Sequence, residues 1–359
     1  MKHIKKVLPP WVLISLLAAL TLTVLLPIAR SSHALADFVN AYIATPIRAF
    51  MAALTHLIPI SLFELILLLL LPSLVILIVA LVRERSSAEC KLRRIFSAVG
   101  VVAVLYCGYV TVMSIPYNTT PLAERLDIEE DKDISRDELY SALLIVRDRV
   151  NGLAEELDAA SPTKMPYTVD EMSRIISREY GEVRKQYPFF HNFDSRVKPV
   201  HFSSIMSDMG ITGIYTYFTG EANVNTCYPD YTFVFTSAHE MAHQRGINRE
   251  NEANFMAFFV LSQSDDAFLR YSAYLNMYEY LAYALYPTDP EGYYEIMQGL
   301  DSRAAADIKE ASRVTREHRD SPLYKLMNDV NDAYLKSNGT EGVVSYGYVV
   351  RLAVGYLLR

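Results

Sequence analysis

Cysteine is scarce in this chain, at three in 359 residues. Cys90 falls in a short basic stretch, Cys107 inside an apolar run and Cys227 alone in the second half, so no intrachain disulfide is implied. An excess of positive charge is also missing: 34 Lys and Arg stand against 41 Asp and Glu, and the net charge of -7 argues against nucleic acid as a partner. There are no internal repeats. Most telling is the lack of charge over long stretches of the first 115 residues, which excludes an ordinary soluble fold for that part.

Those stretches are apolar runs at Leu8 to Ala29, Leu65 to Val82 and Ile95 to Ile115, each of about the 20 residues that cross a hydrocarbon layer as a helix. A fourth segment, Ala34 to Ile60, is interrupted by Asp37, Arg48 and His56, and is expected to lie along the outer interface as an amphipathic helix. Lys2, Lys5 and Lys6 precede the first run, while Arg83, Arg85, Lys91, Arg93 and Arg94 fill the loop between the second and third. Basic residues stay on the cytoplasmic side, so the N-terminus is expected inside and everything after Ile115 outside. The alternative for the first run is a cleaved signal peptide ending near "ALAD" at Ala34 to Asp37, which leaves the later part outside as well. Paired charges within the runs are absent and only Glu64 sits at an edge, which speaks against a permease. The expected organisation is a membrane domain over 1–116 and an extracytoplasmic domain over 117–359.

The second domain begins with two helices announced by capping boxes, Ser135 with Glu138 and Thr168 with Glu171, and both read as scaffold. Gly213 to Asn225 alternates β-branched and aromatic residues with small ones, and "YTFVFT" (Tyr231 to Thr236) continues in that style. A small sheet is therefore expected just ahead of the next element, with an open edge able to pair an extended peptide. Glu221 and Asn223 are either cleft residues or parts of an ordinary turn.

The next element carries "SAHEMAHQRGINRENEANF" from Ser237 to Phe255. His239 and His243 are four apart, so a helix presents both imidazoles on one face, where they can bind one ion. Glu240 projects beside them, placed to take a proton from water without being a ligand. A third ligand must come from beyond the helix, because on an unbroken helix Glu250 would lie roughly 10 Å farther along the axis. Gly246 is the natural stop and reversal point. "ENEANFMAFFVLS" then reads as a second helix on which Glu250 and Asn254 share a face, while Glu252 points elsewhere. Glu250 is the better third ligand, with Glu252 the alternative, and Asn254 is placed to hold a ligand histidine in its tautomer. The arrangement that draws a third histidine from six residues on is excluded by Arg249. Stabilising an oxyanion beside the ion needs a further donor. Tyr271 and Tyr274, in the tyrosine-rich stretch Arg270 to Tyr280, are the candidates.

"FTSAHEMAH" followed by "ENEANF" resembles the gluzincin arrangement of zinc peptidases and the ExxAN pattern of small bacterial metallopeptidases. Over a longer range, "PLAERL", "GITGIYTYFTGEANVN", "AHEMAHQRG", "EANF", "RYSAYL" and "SYGYVVRL" resemble an uncharacterised family of bacterial membrane proteins. Together these imply a mainly α chain: three N-terminal transmembrane helices, then an extracytoplasmic zincin-like α+β domain with a small sheet ahead of the HExxH helix. They imply Zn2+ as cofactor and multi-pass placement in a bacterial cell membrane. The expected partners are the lipid bilayer and a peptide or protein substrate near its outer face. The competing reading is a non-catalytic sensor or binding module stabilised by zinc.

Overall fold

The computed structural model describes residues 7–83, 88–130, 133–157 and 162–359. Lys2, Lys5, Lys6 and Arg85, used above to orient the chain, lie outside the described residues. Among the described residues, three helices are long and apolar enough to cross a membrane: α1 (Pro10–Arg30), a helix at Leu62–Arg83, and one starting at Ala88. They match the three expected runs to within a few residues, except that the third begins earlier, in the basic loop.

Between the first two lies a helix at His33–Val39, a π-helical turn at Asn40–Ala44 and α2 (Thr45–His56). Its amphipathic character is inverted relative to a soluble helix. Phe38, Tyr42, Ile47, Phe50 and Leu54 are exposed, while Asn40, Thr45, Arg48 and Thr55 are buried against protein. The polar face is therefore an internal contact, and the apolar face is the one left open to lipid.

The second long helix is α3 (Leu62–Arg83), and the third is α4 (Ala88–Tyr109), which runs into a π-helical turn at Val110–Ser114. α1 packs along α4, with Trp11 and Val12 against Gly100 and Thr23 hydrogen-bonded to Tyr106 at 2.9 Å. No residue of α3 is buried.

The remaining domain is helical around a three-stranded sheet. α5 (Arg136–Leu157) and α6 (Val169–Gln186) begin at the two capping boxes, and in both the Ser or Thr and the Glu exchange hydrogen bonds. The sheet is formed by β1 (Val197–Val200), β2 (Gly213–Thr216) and β3 (Glu221–Asn225) in the order β1-β3-β2, with β1 parallel and β2 antiparallel to β3. β2 is thus an edge strand.

"YTFVFT" is not a strand. It forms the first turns of α7 (Asp230–Gln244), which follows Pro229. Nearly every residue of α7 is buried, so its apolar residues show no one-sided period, and aromatic and β-branched residues buried all round imitate a strand. α8 (Glu250–Ser262) and α9 (Ala267–Leu285) pack against it in one hydrophobic core shared with α5. α10 (Pro322–Ser337) lies over the sheet side, with Tyr324 against Gly210, and α11 (Val349–Leu357) closes the core.

The two halves of the chain are joined by hydrogen bonds to helix ends. The buried Glu221 carboxylate caps the start of α3, accepting from the amides of Leu62 and Phe63 at 3.1 and 2.9 Å. Asn223 accepts from Ser61 at 2.7 Å. Lys198 donates to the carbonyls of Thr55, at 2.7 Å, and Ile58, at the end of α2. Glu64 returns the favour, accepting from the amides of His201 and Phe202. Carboxylates favour helix starts and cations helix ends because of the unpaired amides and carbonyls there.

Candidate metal centre

α7 and α8 meet at a sharp reversal. Gly246 has φ +94, a left-handed conformation that suits glycine, and a Cβ there would lie 2.5 Å from Asn40 Oδ1. Arg48 donates to Asn40 Oδ1 at 2.7 Å and to the carbonyl of Val112 at 2.9 Å, and Asn248 donates to Met113 at 2.8 Å. The turn is therefore seated directly on the membrane-side helices.

The reversal brings His239, His243 and Glu250 together. Their Nε2, Nε2 and Oε2 atoms are 3.1 Å (His239 to His243), 3.2 Å (His239 to Glu250) and 3.5 Å (His243 to Glu250) apart. Four ligand atoms about 2.0–2.1 Å from a tetrahedral ion lie roughly 3.3 Å from one another. The triangle thus has the size that a zinc ion needs, with a fourth corner left for another molecule. Without a cation the cluster is held by charge. Burial pulls the His243 imidazole down, but Glu250 and Glu240 push it up to about 9. Burial would raise the Glu250 carboxyl, and the two histidines outweigh it to hold it far below the usual range.

Glu240 is next to this triangle, 4% exposed, with Oε2 making no hydrogen bond. Burial raises its carboxyl, partly offset by His239 and His243 and by the backbone of Tyr215. Gly213 makes room for it, since a Cβ there would sit 2.5 Å from Glu240 Oε1. All of these residues line a cavity of about 770 Å³ whose wall includes β2 from end to end.

Some expected residues are placed elsewhere. Glu252 faces away from the triangle, accepting from Arg249 at 2.7 Å and from the amide of Leu122 at 2.9 Å, the carboxylate-at-a-helix-start role. Asn254 lines the cavity but its Nδ2 has no partner, and it holds neither histidine. The carbonyl of Ile247 does that for His243, 2.7 Å from Nδ1, because the reversal at Gly246 folds the chain back under the ring. His239 Nδ1 has no partner among the described residues. Tyr271 donates to Asp307 at 2.7 Å in the core, and Tyr274 packs edge-on to Phe258, so neither reaches the cavity. Helix period explains the miss: Tyr280, at the end of the same stretch, lines the cavity with Asn276 one turn before it. Glu221 and Asn223 serve the junction with α3 and do not line the cavity.

The family described as "Protein of unknown function (DUF3810)" matches residues 40–354, from the helix under the Gly246 turn to α11. The chain belongs to this family. No curated protein and no solved structure matches it. The stretch shared with the family therefore contains the whole of the triangle, the reversal and the membrane-side residues on which the reversal rests.

Proposed function

We propose that this chain is a membrane-anchored, zinc-dependent metallopeptidase whose site is His239, His243, Glu250 and Glu240. The observation that carries the reading is a three-donor triangle of zinc-ligand size on the wall of a cavity, with a buried carboxylate beside it of which one oxygen has no partner. A zinc ion held there would act as a Lewis acid toward water and a peptide carbonyl. Glu240 takes the proton from the attacking water and returns it to the leaving amine. Burial raises its carboxyl above the usual range, the direction that suits a group which both takes and returns a proton. Glu250 and the Ile247 carbonyl hold His239 and His243 in orientation. Tyr280 replaces Tyr271 and Tyr274 as the donor toward the carbonyl oxygen, and the edge of β2 supplies main-chain pairing to an extended peptide. The basic residues before the first candidate span and between the second and third support an orientation with the domain outside a bacterial membrane.

The competing reading, a zinc-stabilised sensor or binding module, leaves Glu240 without a role. A closed structural site fills its fourth corner with a protein ligand. Glu240→Gln in the purified full chain is expected to keep its zinc, measured by elemental analysis, and to lose hydrolysis of a broad peptide library. Retained hydrolysis in that variant would remove Glu240 from the mechanism, and a wild-type protein that binds zinc and cuts no peptide would favour the sensor.

A further inference from the structure

The cavity does not end at the triangle of His239, His243 and Glu250. Its wall continues to Phe63 in the first turn of α3 and to Tyr109 and Met113 at the end of α4, so two candidate membrane spans border the same space as His239 and Glu240. The turn between β2 and β3 reaches in among them. Tyr217 donates to the carbonyl of Leu105 at 3.0 Å, its ring lies 6.0 Å from that of Tyr109, and the Phe218 ring lies 6.3 Å from that of Phe63. Leu105 is ten residues before the end of the apolar run at Ile115, roughly 15 Å along a helix. Of the cavity wall itself, Tyr109 is six residues before Ile115, roughly 9 Å along a helix, so the wall includes part of the apolar run. Aromatic residues in such a position mark the lipid–water boundary. Among the described residues none of α3 is buried, although Leu77 borders the first turns of α4.

We propose, resting on the peptidase reading, that the cleft receives its substrate sideways from the bilayer boundary between α3 and α4. The substrate is a polypeptide whose cut segment adjoins an apolar, membrane-embedded segment. A polypeptide fits better than a lipid because the edge of β2 away from β3 offers main-chain groups that an acyl chain cannot use, the Tyr215 amide excepted because it donates to Glu240. The strand also sets a distance. The Tyr215 backbone is beside Glu240, and Phe218, three residues on, is beside the start of α3. Phe218 is in the turn that follows β2, and three residues span at most about 10 Å, so the cut falls within about five residues of the apolar segment.

The test uses the full chain in lipid nanodiscs and one peptide library in two forms, free and joined to an apolar helix of about 20 residues. The anchored form is expected to be cut at least roughly tenfold faster, with cuts clustered within about five residues of the anchor, and Phe218→Ser is expected to lower that anchored-to-free ratio several-fold. Equal cutting of both forms, or cuts far from the anchor, would overturn the proposal while leaving the peptidase reading intact. A second readout does not depend on turnover: the Glu240→Gln chain carrying a photoreactive phenylalanine analogue at position 218 is expected to crosslink to the anchored peptides. Crosslinking without any cutting by the wild type would keep the entry route and remove the peptidase reading. Labelling of position 218 by a phospholipid that anchored peptides do not displace would overturn the proposal in favour of a lipid ligand. No crosslink and no cutting would remove both.

Discussion

The helices of the candidate metal centre and the candidate spanning helix α3 are held in opposite ways. α7 and α8 are buried along almost their whole length, so the triangle is held by close packing on the sides away from the cavity. α3 has no buried residue and is tied to the sheet only at its start, by Glu221, Asn223 and Glu64. Packing positions the chemistry and hydrogen bonds position the membrane relative to it. Two glutamates on one helix turn show the division. Glu250 looks into the cluster, while Glu252 looks to the membrane-side neck through Arg249, Leu122 and the Thr119 carbonyl that Arg249 reaches at 2.7 Å.

The comparison breaks most sharply at the packed side. Glu240→Gln is expected to lower peptide hydrolysis by roughly 10²–10⁴-fold, the usual scale for a general base, with zinc content and thermal stability close to wild type. His239→Ala and Glu250→Ala are expected to abolish stoichiometric zinc binding, read by elemental analysis. Glu252→Ala is expected to keep the zinc and to lower stability by about 1–3 kcal/mol in a denaturant melt, because it strands a buried amide and the Arg249 guanidinium. Loss of zinc in Glu252→Ala with retention in Glu250→Ala would reverse the assignment of the two glutamates.

Gly246→Ala addresses the point where the two regions touch. It combines a left-handed backbone with a contact of 2.5 Å to Asn40 and is expected to cost about 1–3 kcal/mol, with weakened zinc binding. The smallest effect is a pH dependence inside the packed region. Burial lifts the Glu279 carboxyl, on α9 beside Tyr280, to about 7 against the pull of a hydrogen bond from Tyr231. The folded chain then keeps a proton that the unfolded chain gives up near 4.5, so this group makes folding less stable as pH rises through that window. Glu279→Gln is expected to raise the melting temperature relative to wild type more at pH 8 than at pH 5.

How much of this could be read from the residues follows from the type of signal each carried. The spans, the capping boxes at Ser135 and Thr168, and the helix, glycine, helix order of the motif are local patterns, and local patterns survive folding. Helix geometry also puts Glu250 and Glu252 on different faces of α8. What escaped was set by packing. "YTFVFT" lacked a helical period because α7 is buried on all sides, and the polar residues of 34–60 looked like a water face when they are an internal one. The Ile247 carbonyl under His243 leaves no trace in side-chain identity. Tyr280 shares a composition with Tyr271 and Tyr274, and only the rotation of α9 distinguishes them.

The central claim is that three side chains bind one zinc ion, and zinc content of the purified full chain tests it most directly. About one equivalent per chain is expected, the capacity of a single three-ligand site, falling to background in His239→Ala, His243→Ala and Glu250→Ala and unchanged in Glu252→Ala. A metal-free wild type that cannot be loaded, or zinc that persists in all three ligand variants, would contradict it.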